Sequence, residues 1–117
     1  MKVFFLSFLI LFNSSAILSA QNLSKAYFAG GCFWCMEESF DQVDGVISTI
    51  SGYSGGHLKN PKYEDVVYTD SGHVEAIEIT YDPKIIDFKK LLDIYWANID
   101  PFDANGQFCD KGKSYRS

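Results

Sequence analysis

Two cysteines in the first third of the chain, Cys32 and Cys35, are the residues best suited to do chemistry. An apolar run at 26–29 leads into two glycines, and residues 33–43 contain neither Gly nor Pro. This order predicts a strand, a tight turn and a helix, with Cys32 at or just before the first helical residue. Unpaired backbone N–H groups and the positive end of the helix dipole favour a thiolate there. Cys32 is therefore the candidate nucleophile.

The Cys-x-x-Cys spacing of Cys32 and Cys35 is compatible with a thiol–disulfide oxidoreductase, half of a metal site or a structural pair. A zinc site would need Cys109 and one of His57 and His73, but these residues lack the paired spacing of zinc ligands, so we expect no metal. A thioredoxin-like site fits the strand-to-helix start. Against it, all three prolines lie in predicted loops or at helix edges.

The remaining pattern predicts the elements that position these cysteines. Residues 46–50 and 73–81 alternate as strands, and an amphipathic helix opens at Asp87 and ends at Asp100. Residues 55–72 are predicted to form a long loop, which in a compact domain is more often functional than idle. The order strand, helix, strand, strand, helix predicts an α+β sandwich of the split βαβ (ferredoxin-like) kind, with two layers and both helices on one face of the sheet.

The first twenty residues resemble a secretory signal peptide. A positive start precedes an apolar run at 3–12, and small residues follow as far as Ala20. The apolar run is shorter than the ~20 residues that a membrane-spanning helix needs. We expect cleavage after Ala20, with Ala16 as second choice, and export of one domain, residues 21–117, as a monomer without a stable membrane anchor.

The charge and the number of cysteines narrow the function further. The formal charge is −5 with no basic stripe, which argues against nucleic acid or an anionic membrane as the partner. Three cysteines in an exported chain are an odd number, so at most one pair can close within the molecule. The remaining thiol needs another explanation.

Several residues have an ordinary structural interpretation when each is taken alone. Phe33 and Trp34 could fill a core, and Glu75 on an alternating strand would be solvated. His57 and His73 are expected to be structural. Three tyrosines are assigned no role beyond packing: Tyr53, Tyr68 and Tyr81.

Longer motifs are more specific than the cysteine pair. The segment GGCFW at 30–34 closely resembles the active-site signature of the A-type peptide methionine sulfoxide reductases. The similarity extends in order over residues 26–117, through GYSGG at 52–56, NPKYEDV at 60–66, GHVEA at 72–76, YDP at 81–83, GQ at 106–107 and GKSYRS at 112–117. Members of this family usually continue beyond the last of these motifs, so the resemblance implies a domain that is incomplete at its C-terminal end.

The resemblance implies reduction of the S epimer of methionine sulfoxide, free or in proteins, to methionine, and so the repair of oxidised proteins under oxidative stress. Cys32 matches the nucleophile that attacks the sulfoxide sulfur. Phe33 and Trp34 match the hydrophobic pocket for the substrate methyl group. An aromatic wall suits that methyl group and rejects the mirror-image placement.

Four further residues match the family's groups around the sulfoxide oxygen. Glu75 matches a carboxylic acid that shares its proton with that oxygen, and Tyr63 and Tyr115 match hydroxyl donors to it. Asp110 matches an acidic residue that helps to hold the site. The role of Glu75 requires burial that raises its pKa enough to keep a proton at neutral pH.

The implied product at Cys32 is a sulfenic acid, which a nearby thiol condenses with to form a disulfide. In this family the resolving thiol usually comes from a distal loop, so Cys109 is the favoured candidate and Cys35 the alternative. An external dithiol such as thioredoxin would then reduce the disulfide, and no bound cofactor is expected.

Two other functions stay open from the residues alone. A general thiol–disulfide oxidoreductase would use Cys32 and Cys35 and would not need the acids and tyrosines. A secreted binding domain held together by one disulfide would turn over no substrate.

Overall fold

A computed structural model describes residues 22–117 of the chain. The predicted signal peptide, residues 1–20, lies outside this part. Along the described residues the elements are β1 (Ser24–Phe28), α1 (Phe33–Asp41), β2 (Val46–Ser54), α2 (Tyr63–Tyr68), β3 (Val74–Tyr81), α3 (Phe88–Ala97), β4 (Gly106–Gln107), β5 (Asp110–Lys111) and a 3-10 turn (Lys113–Tyr115). None of the helices in residues 22–117 is long and apolar enough to span a membrane.

Strand β3 is the centre of a three-stranded sheet with the order β1-β3-β2. It pairs antiparallel with both neighbours, so β1 and β2 run parallel to each other and α1 connects them. The strands β4 and β5 form a separate two-stranded hairpin. The chain is therefore an α+β domain built on a small antiparallel sheet, and that class is the one that the sequence predicts.

Both long helices pack on one face of the sheet, where they meet the ring of Phe28. That ring stacks on Phe40 of α1 at 5.8 Å and on Tyr95 of α3 at 4.8 Å between ring centroids. Phe40 is fully buried, and burying such a side chain contributes about 1.5–3 kcal/mol. The Tyr95 hydroxyl also donates a hydrogen bond to the Ala29 carbonyl at 2.8 Å, which ties α3 to the turn that precedes α1.

The helix boundaries follow from local chemistry. Asp87 caps α3 as predicted, and its carboxylate accepts a hydrogen bond from the Lys90 N–H at 2.8 Å. The turn after α1 includes Gly45 at a φ of +94°, which suits glycine best.

Residues 55–72, which the sequence predicts to be a loop, contain regular structure, so that prediction is wrong. Residues 55–72 contain α2, whose six residues are too few to show a helical period; its start is fixed because Asp65 accepts a hydrogen bond from Lys62 N–H at 2.8 Å. Residues 102–117 contain the β4–β5 hairpin and the 3-10 turn, and strands of two residues carry no alternation. Strand β2 also runs four residues further than predicted, to Ser54.

Candidate active site

The turn before α1 places Cys32 at the start of the helix. Gly31 has a φ of +84°, and a Cβ at this position would lie 2.6 Å from the Cβ of Gln107. Cys32 occupies the N-cap position, and its carbonyl accepts the helical hydrogen bond from Met36 N–H at 3.1 Å. The thiol is free and partly buried. Cys32 thus lies at the N-terminus of α1, as the sequence predicts.

Glu75 is held against the first residue of the same helix. Its side chain is 2% exposed, and Oε2 accepts a hydrogen bond from Phe33 N–H at 3.0 Å. Burial raises the pKa of Glu75, the bond from Phe33 opposes that shift, and the nearby Asp110 carboxylate adds to it. The carboxyl therefore keeps its proton to higher pH than an exposed glutamate, which a proton donor requires.

The prediction that Glu75 alone would be solvated is wrong, and the reason is the register of β3. Residues two apart on a strand share a face, so Glu75 lies on the same face as Ile77 and Ile79, which are buried in the core. Ala76 and Ile77 are adjacent and both apolar, so the sequence pattern does not decide which of them faces the helices. Contact with the helices decides it.

Tyr63 and Tyr115 come from distant parts of the chain and meet beside Glu75. Tyr63 is the first residue of α2, and Tyr115 ends the 3-10 turn. Contact between the two hydroxyl groups is the largest cause of a strongly raised pKa at Tyr115, followed by burial and the Glu75 carboxyl. The two phenols and the acid therefore lie near one another.

Arg116 attaches the segment of Tyr115 to the start of β3. Its guanidinium donates hydrogen bonds to the carbonyl of Gly72, at 3.2 Å, and to that of Lys113. The Tyr115 N–H donates to the Gly112 carbonyl at 3.1 Å. Since Gly72 lies three residues before Glu75, this link fixes the tyrosine relative to the acid.

Phe33 and Trp34 form an aromatic pair with one buried and one open member. Their ring centroids are 6.0 Å apart at a tilt of 31°. Phe33 is buried, whereas Trp34 is 71% exposed. Phe33 therefore belongs to the core as well as to the site. Trp34 is not core, and its ring is available to a ligand.

The three cysteines line one cleft of about 370 Å³ between the start of α1, the end of α3 and the β4–β5 hairpin. We call it the thiol cleft; Asp110 and Phe108 line it too. All three cysteines are free, and Cys35 and Cys109 are exposed. The structure thus groups the predicted site residues: Glu75 is bonded to Phe33 N–H and lies near the two tyrosines, and the three cysteines and Asp110 line the thiol cleft.

The thiol cleft places both candidate resolving cysteines near Cys32. Contact with Cys32 raises the pKa of the Cys35 thiol, and burial adds to the shift. Cys109 lies in the two-residue loop between β4 and β5, after Phe108 at a φ of +51°. Cys35 touches Cys32 along the helix, whereas Cys109 approaches from a separate element. Geometry therefore keeps both candidates open.

Gln107 is a site residue that the sequence does not single out. It is buried, its Oε1 accepts a hydrogen bond from Asp100 N–H at 2.6 Å, and its Nε2 donates to the Asp100 carbonyl at 2.8 Å. Its Cβ packs where Gly31 has no side chain. Gln107 therefore holds the hairpin that carries Cys109 and Asp110 against the turn before Cys32. In the sequence, the role of Gln107 is indicated only by its position in the GQ motif at 106–107.

The two histidines fit the structural role expected of them. The His73 Nδ1 accepts a hydrogen bond from Gly56 N–H at 3.1 Å, and Nε2 lies 2.8 Å from the Leu58 carbonyl oxygen. The His57 N–H donates to the Ser71 carbonyl. These bonds fasten the loop after β2 to the start of β3. Within residues 22–117 no three His, Cys, Asp or Glu side chains are grouped so as to hold a metal ion.

Comparison with known proteins gives one consistent family. The family model described as peptide methionine sulfoxide reductase matches residues 24–117. Peptide methionine sulfoxide reductase MsrA of Listeria welshimeri is 52% identical over 99 residues, which are 85% of this chain and 56% of that protein. MsrA 2 of Caulobacter vibrioides is 52% identical over 107 residues, or 92% of this chain and 55% of that protein. The chain thus spans about half the length of the curated relatives it matches.

Solved structures agree with the sequence relatives. Methionine sulfoxide reductase A of Corynebacterium diphtheriae superposes with a TM-score of 0.78 at 33% identity, over 81% of this chain and 45% of that one. Mxr1 from Saccharomyces cerevisiae in its reduced form gives a TM-score of 0.76 at 30% identity, over 81% and 57%. The described fold is therefore that of part of these proteins.

Proposed function

The chain belongs to the peptide methionine sulfoxide reductase family, and we propose that it reduces the S epimer of methionine sulfoxide, free or in proteins, to methionine. The observation that carries this proposal is the buried Glu75 carboxyl, held by Phe33 N–H beside Cys32. A sulfoxide has a polarised S–O bond, so its reduction needs a nucleophile at sulfur and proton donors at oxygen. Cys32 and Glu75 meet these two needs.

The proposed reaction transfers the sulfoxide oxygen to Cys32. The thiolate attacks the sulfur, Glu75 gives its proton to the oxygen, and the hydroxyls of Tyr63 and Tyr115 donate hydrogen bonds to the same oxygen. The attack forms an S–S bond to the substrate sulfur, and the protonated oxygen then moves as a hydroxyl group from that sulfur to the Cys32 sulfur. The S–O bond of the substrate and the new S–S bond both break, methionine leaves with the electron pair of the S–S bond, and Cys32 is left as the sulfenic acid. Asp110 acts indirectly, since its charge adds to the shift that keeps Glu75 protonated.

Phe33 and Trp34 hold the substrate methyl group in this proposal. The buried Phe33 ring gives a fixed wall and the exposed Trp34 ring gives an open one, tilted by 31°. A methyl group fits between two aromatic faces, whereas the oxygen needs the polar side with Glu75. Exchanging the two substituents at sulfur would place oxygen on the rings, which accounts for the choice of epimer.

Cys109 resolves the sulfenic acid in this proposal, with Cys35 as the alternative. The thiol attacks the Cys32 sulfur, the hydroxyl leaves as water, and a disulfide forms. Cys109 is supported by its place in a hairpin loop, which can shift without distorting a helix. A Cys32–Cys35 bond would require the first turn of α1 to distort. An external dithiol of the thioredoxin class then reduces the disulfide, and the chain needs no bound cofactor.

We further propose the setting in which this chemistry takes place. Residues 1–20 direct export and are cleaved after Ala20, and residues 21–117 belong to one domain that acts as a monomer. The crossover from β1 through α1 to β2, with β3 between them, supports assigning the sheet to the split βαβ (ferredoxin-like) class.

Turnover of separate S and R epimers with a dithiol reductant tests the proposed function. The S epimer should be consumed and the R epimer left, and Cys32→Ser should abolish the reaction. Consumption of both epimers at equal rates would contradict the proposal, as would reduction of the S epimer by Cys32→Ser. Phe102→Ala is a matched control, because its ring is exposed and lies outside the site.

A second candidate function is general thiol–disulfide exchange, and the contact between Cys35 and Cys32 favours it. Such an enzyme would reduce insulin-type disulfides, would lose that activity in Cys35→Ser, and would be indifferent to Glu75→Gln. The sulfoxide reductase has the opposite dependence on Glu75. Assaying both variants on both substrates separates the two functions.

A further inference from the structure

Tyr53 lies beside two residues of the candidate active site, Glu75 and Phe33, although neither its motif nor the proposed chemistry gives it a role. It is the second-last residue of β2, directly opposite Glu75 of β3. Residues directly opposite each other on antiparallel strands share a face, with Cβ atoms about 5 Å apart. The Tyr53 side chain is therefore the nearest neighbour of Glu75 across the sheet.

The Tyr53 ring also touches the other aromatic component of the site. Its centroid lies 5.8 Å from that of Phe33, at a tilt of 39°. Phe33 in turn donates its N–H to Glu75 at 3.0 Å. Tyr53, Phe33 and Glu75 thus form a closed group of three, in which the tyrosine supports one partner by ring contact and covers the other.

The surroundings of the Tyr53 hydroxyl point to the ring as the part that acts. The side-chain contact that the structure gives Tyr53 is the one between its ring and the ring of Phe33. Burial raises the pKa of Tyr53, and the Glu75 carboxyl and the Tyr63 hydroxyl add to the shift. The phenol therefore stays neutral beside the acid, and it limits the water that reaches it.

We propose that Tyr53 is a positioning residue that acts through its ring, seating Phe33 against the substrate methyl group and shielding the Glu75 carboxyl from water. This inference rests on the proposed function, because that function gives Phe33 and Glu75 their tasks. Three other titratable groups lie around the carboxyl and are unchanged by a substitution at Tyr53. They are Asp110 of β5, Tyr115 of the 3-10 turn and, in contact with Tyr115, Tyr63 of α2.

The test is a titration of the Glu75 carboxyl by carbon NMR in the full chain, in Tyr53→Phe and in Tyr53→Ala. The parent and Tyr53→Phe should titrate alike, whereas the midpoint in Tyr53→Ala should fall towards that of an exposed glutamate. Ile50→Ala is the matched control, since Ile50 lies on the same strand, faces the other way and is 58% exposed. It should titrate like the parent.

Enzyme kinetics supply the second measurement. Loss of one aromatic pair should raise the KM for the S epimer about two- to tenfold in Tyr53→Ala, with Tyr53→Phe restoring the parent value. A Tyr53→Ala variant with parental KM and titration would overturn the inference, as would a Tyr53→Phe variant as impaired as Tyr53→Ala. If Tyr53→Ala does not fold, Tyr53→Leu takes its place. Its Glu75 midpoint should then lie between that of the parent and that of an exposed glutamate.

The two proposals fail in different ways. If the parent does not reduce methionine sulfoxide, the proposed function is wrong, but the titration of Glu75 still decides whether Tyr53 shields the acid. If the parent is active and the titration is indifferent to Tyr53, only the inference about Tyr53 is wrong.

Discussion

Replacing Glu75 by Gln removes the proton that the proposed chemistry needs while keeping the shape of the side chain. The amide oxygen of Gln can still accept the hydrogen bond from Phe33 N–H, which is 3.0 Å from Oε2 in the parent. Burial at 2% exposure is no obstacle, because an amide is neutral and loses less by leaving water than a carboxylate. The variant should therefore fold with its site assembled.

The expected loss of kcat follows from the contribution that proton donation makes to the rate. Proton donation by a positioned side chain contributes about 100- to 10,000-fold to a rate. Tyr63 and Tyr115 remain as hydrogen-bond donors in the variant, so the loss of kcat for the S epimer should lie within that range and not exceed it. The KM should change less than kcat, because methyl-group binding depends on Phe33 and Trp34.

The direction in which kcat changes with pH follows from the raised pKa of Glu75. Since burial raises the pKa of Glu75, the protonated form persists above the range of an exposed glutamate and is lost as pH rises through the raised value. The kcat of the parent should therefore fall as pH rises through that value, whereas the kcat of Glu75→Gln should show no such fall. Because the folded state disfavours the ionised carboxyl, stability is also lost as pH rises from the ordinary range of a glutamate through the raised value, and the variant should lose less stability over that interval.

Steady-state kinetics with the S epimer and a dithiol, measured across pH, is the appropriate assay. Glu78→Gln is the matched control, because Glu78 lies on the same strand but faces the other way and pairs with Lys25. A Glu75→Gln variant within tenfold of the parent, or one that keeps the parental loss on the alkaline side, would refute the reasoning.

Three further predictions concern the scaffold. Phe40→Ala should lower the free energy of unfolding by about 3–5 kcal/mol in urea titrations, whereas Phe102→Ala, at 94% exposure, should leave it nearly unchanged. Gln107→Ala should cost about 1–2 kcal/mol and slow the loss of free thiols after one turnover, because the hairpin loses both bonds to Asp100; an unchanged rate of thiol loss would mean that the hairpin does not set the resolving step. Asp87→Ala should cost about 0.5–2 kcal/mol through the lost cap of α3, and a loss above that range would show a further role.

The sequence predicts those parts of the fold that depend on local chemistry. The turn before Cys32, the cap at Asp87 and the alternation of β3 are read correctly, because two glycines, a capping carboxylate and a period of two act over a few residues. Helix α2 and the β4–β5 hairpin are missed, because six and two residues are too few to show a period.

The site shows where local patterns stop being informative. Alternation alone makes Glu75 a surface residue, and only packing against α1 and α3 shows that its face is the buried one. Gln107 has no pattern of its own, since its role is defined by Asp100 and by the missing side chain of Gly31. Motif resemblance identifies such residues as a group, and three-dimensional contacts explain each of them.

Transfer of the substrate oxygen to Cys32 is the central claim, and one measurement tests it directly. The variant with both Cys35 and Cys109 replaced by Ser has no thiol in the thiol cleft to resolve the product. After one turnover with S-methionine sulfoxide and no reductant, mass spectrometry should find one added oxygen atom on Cys32 and one methionine formed per chain. Methionine formation with Cys32 unmodified would contradict the claim, as would a failure to form methionine in the folded variant.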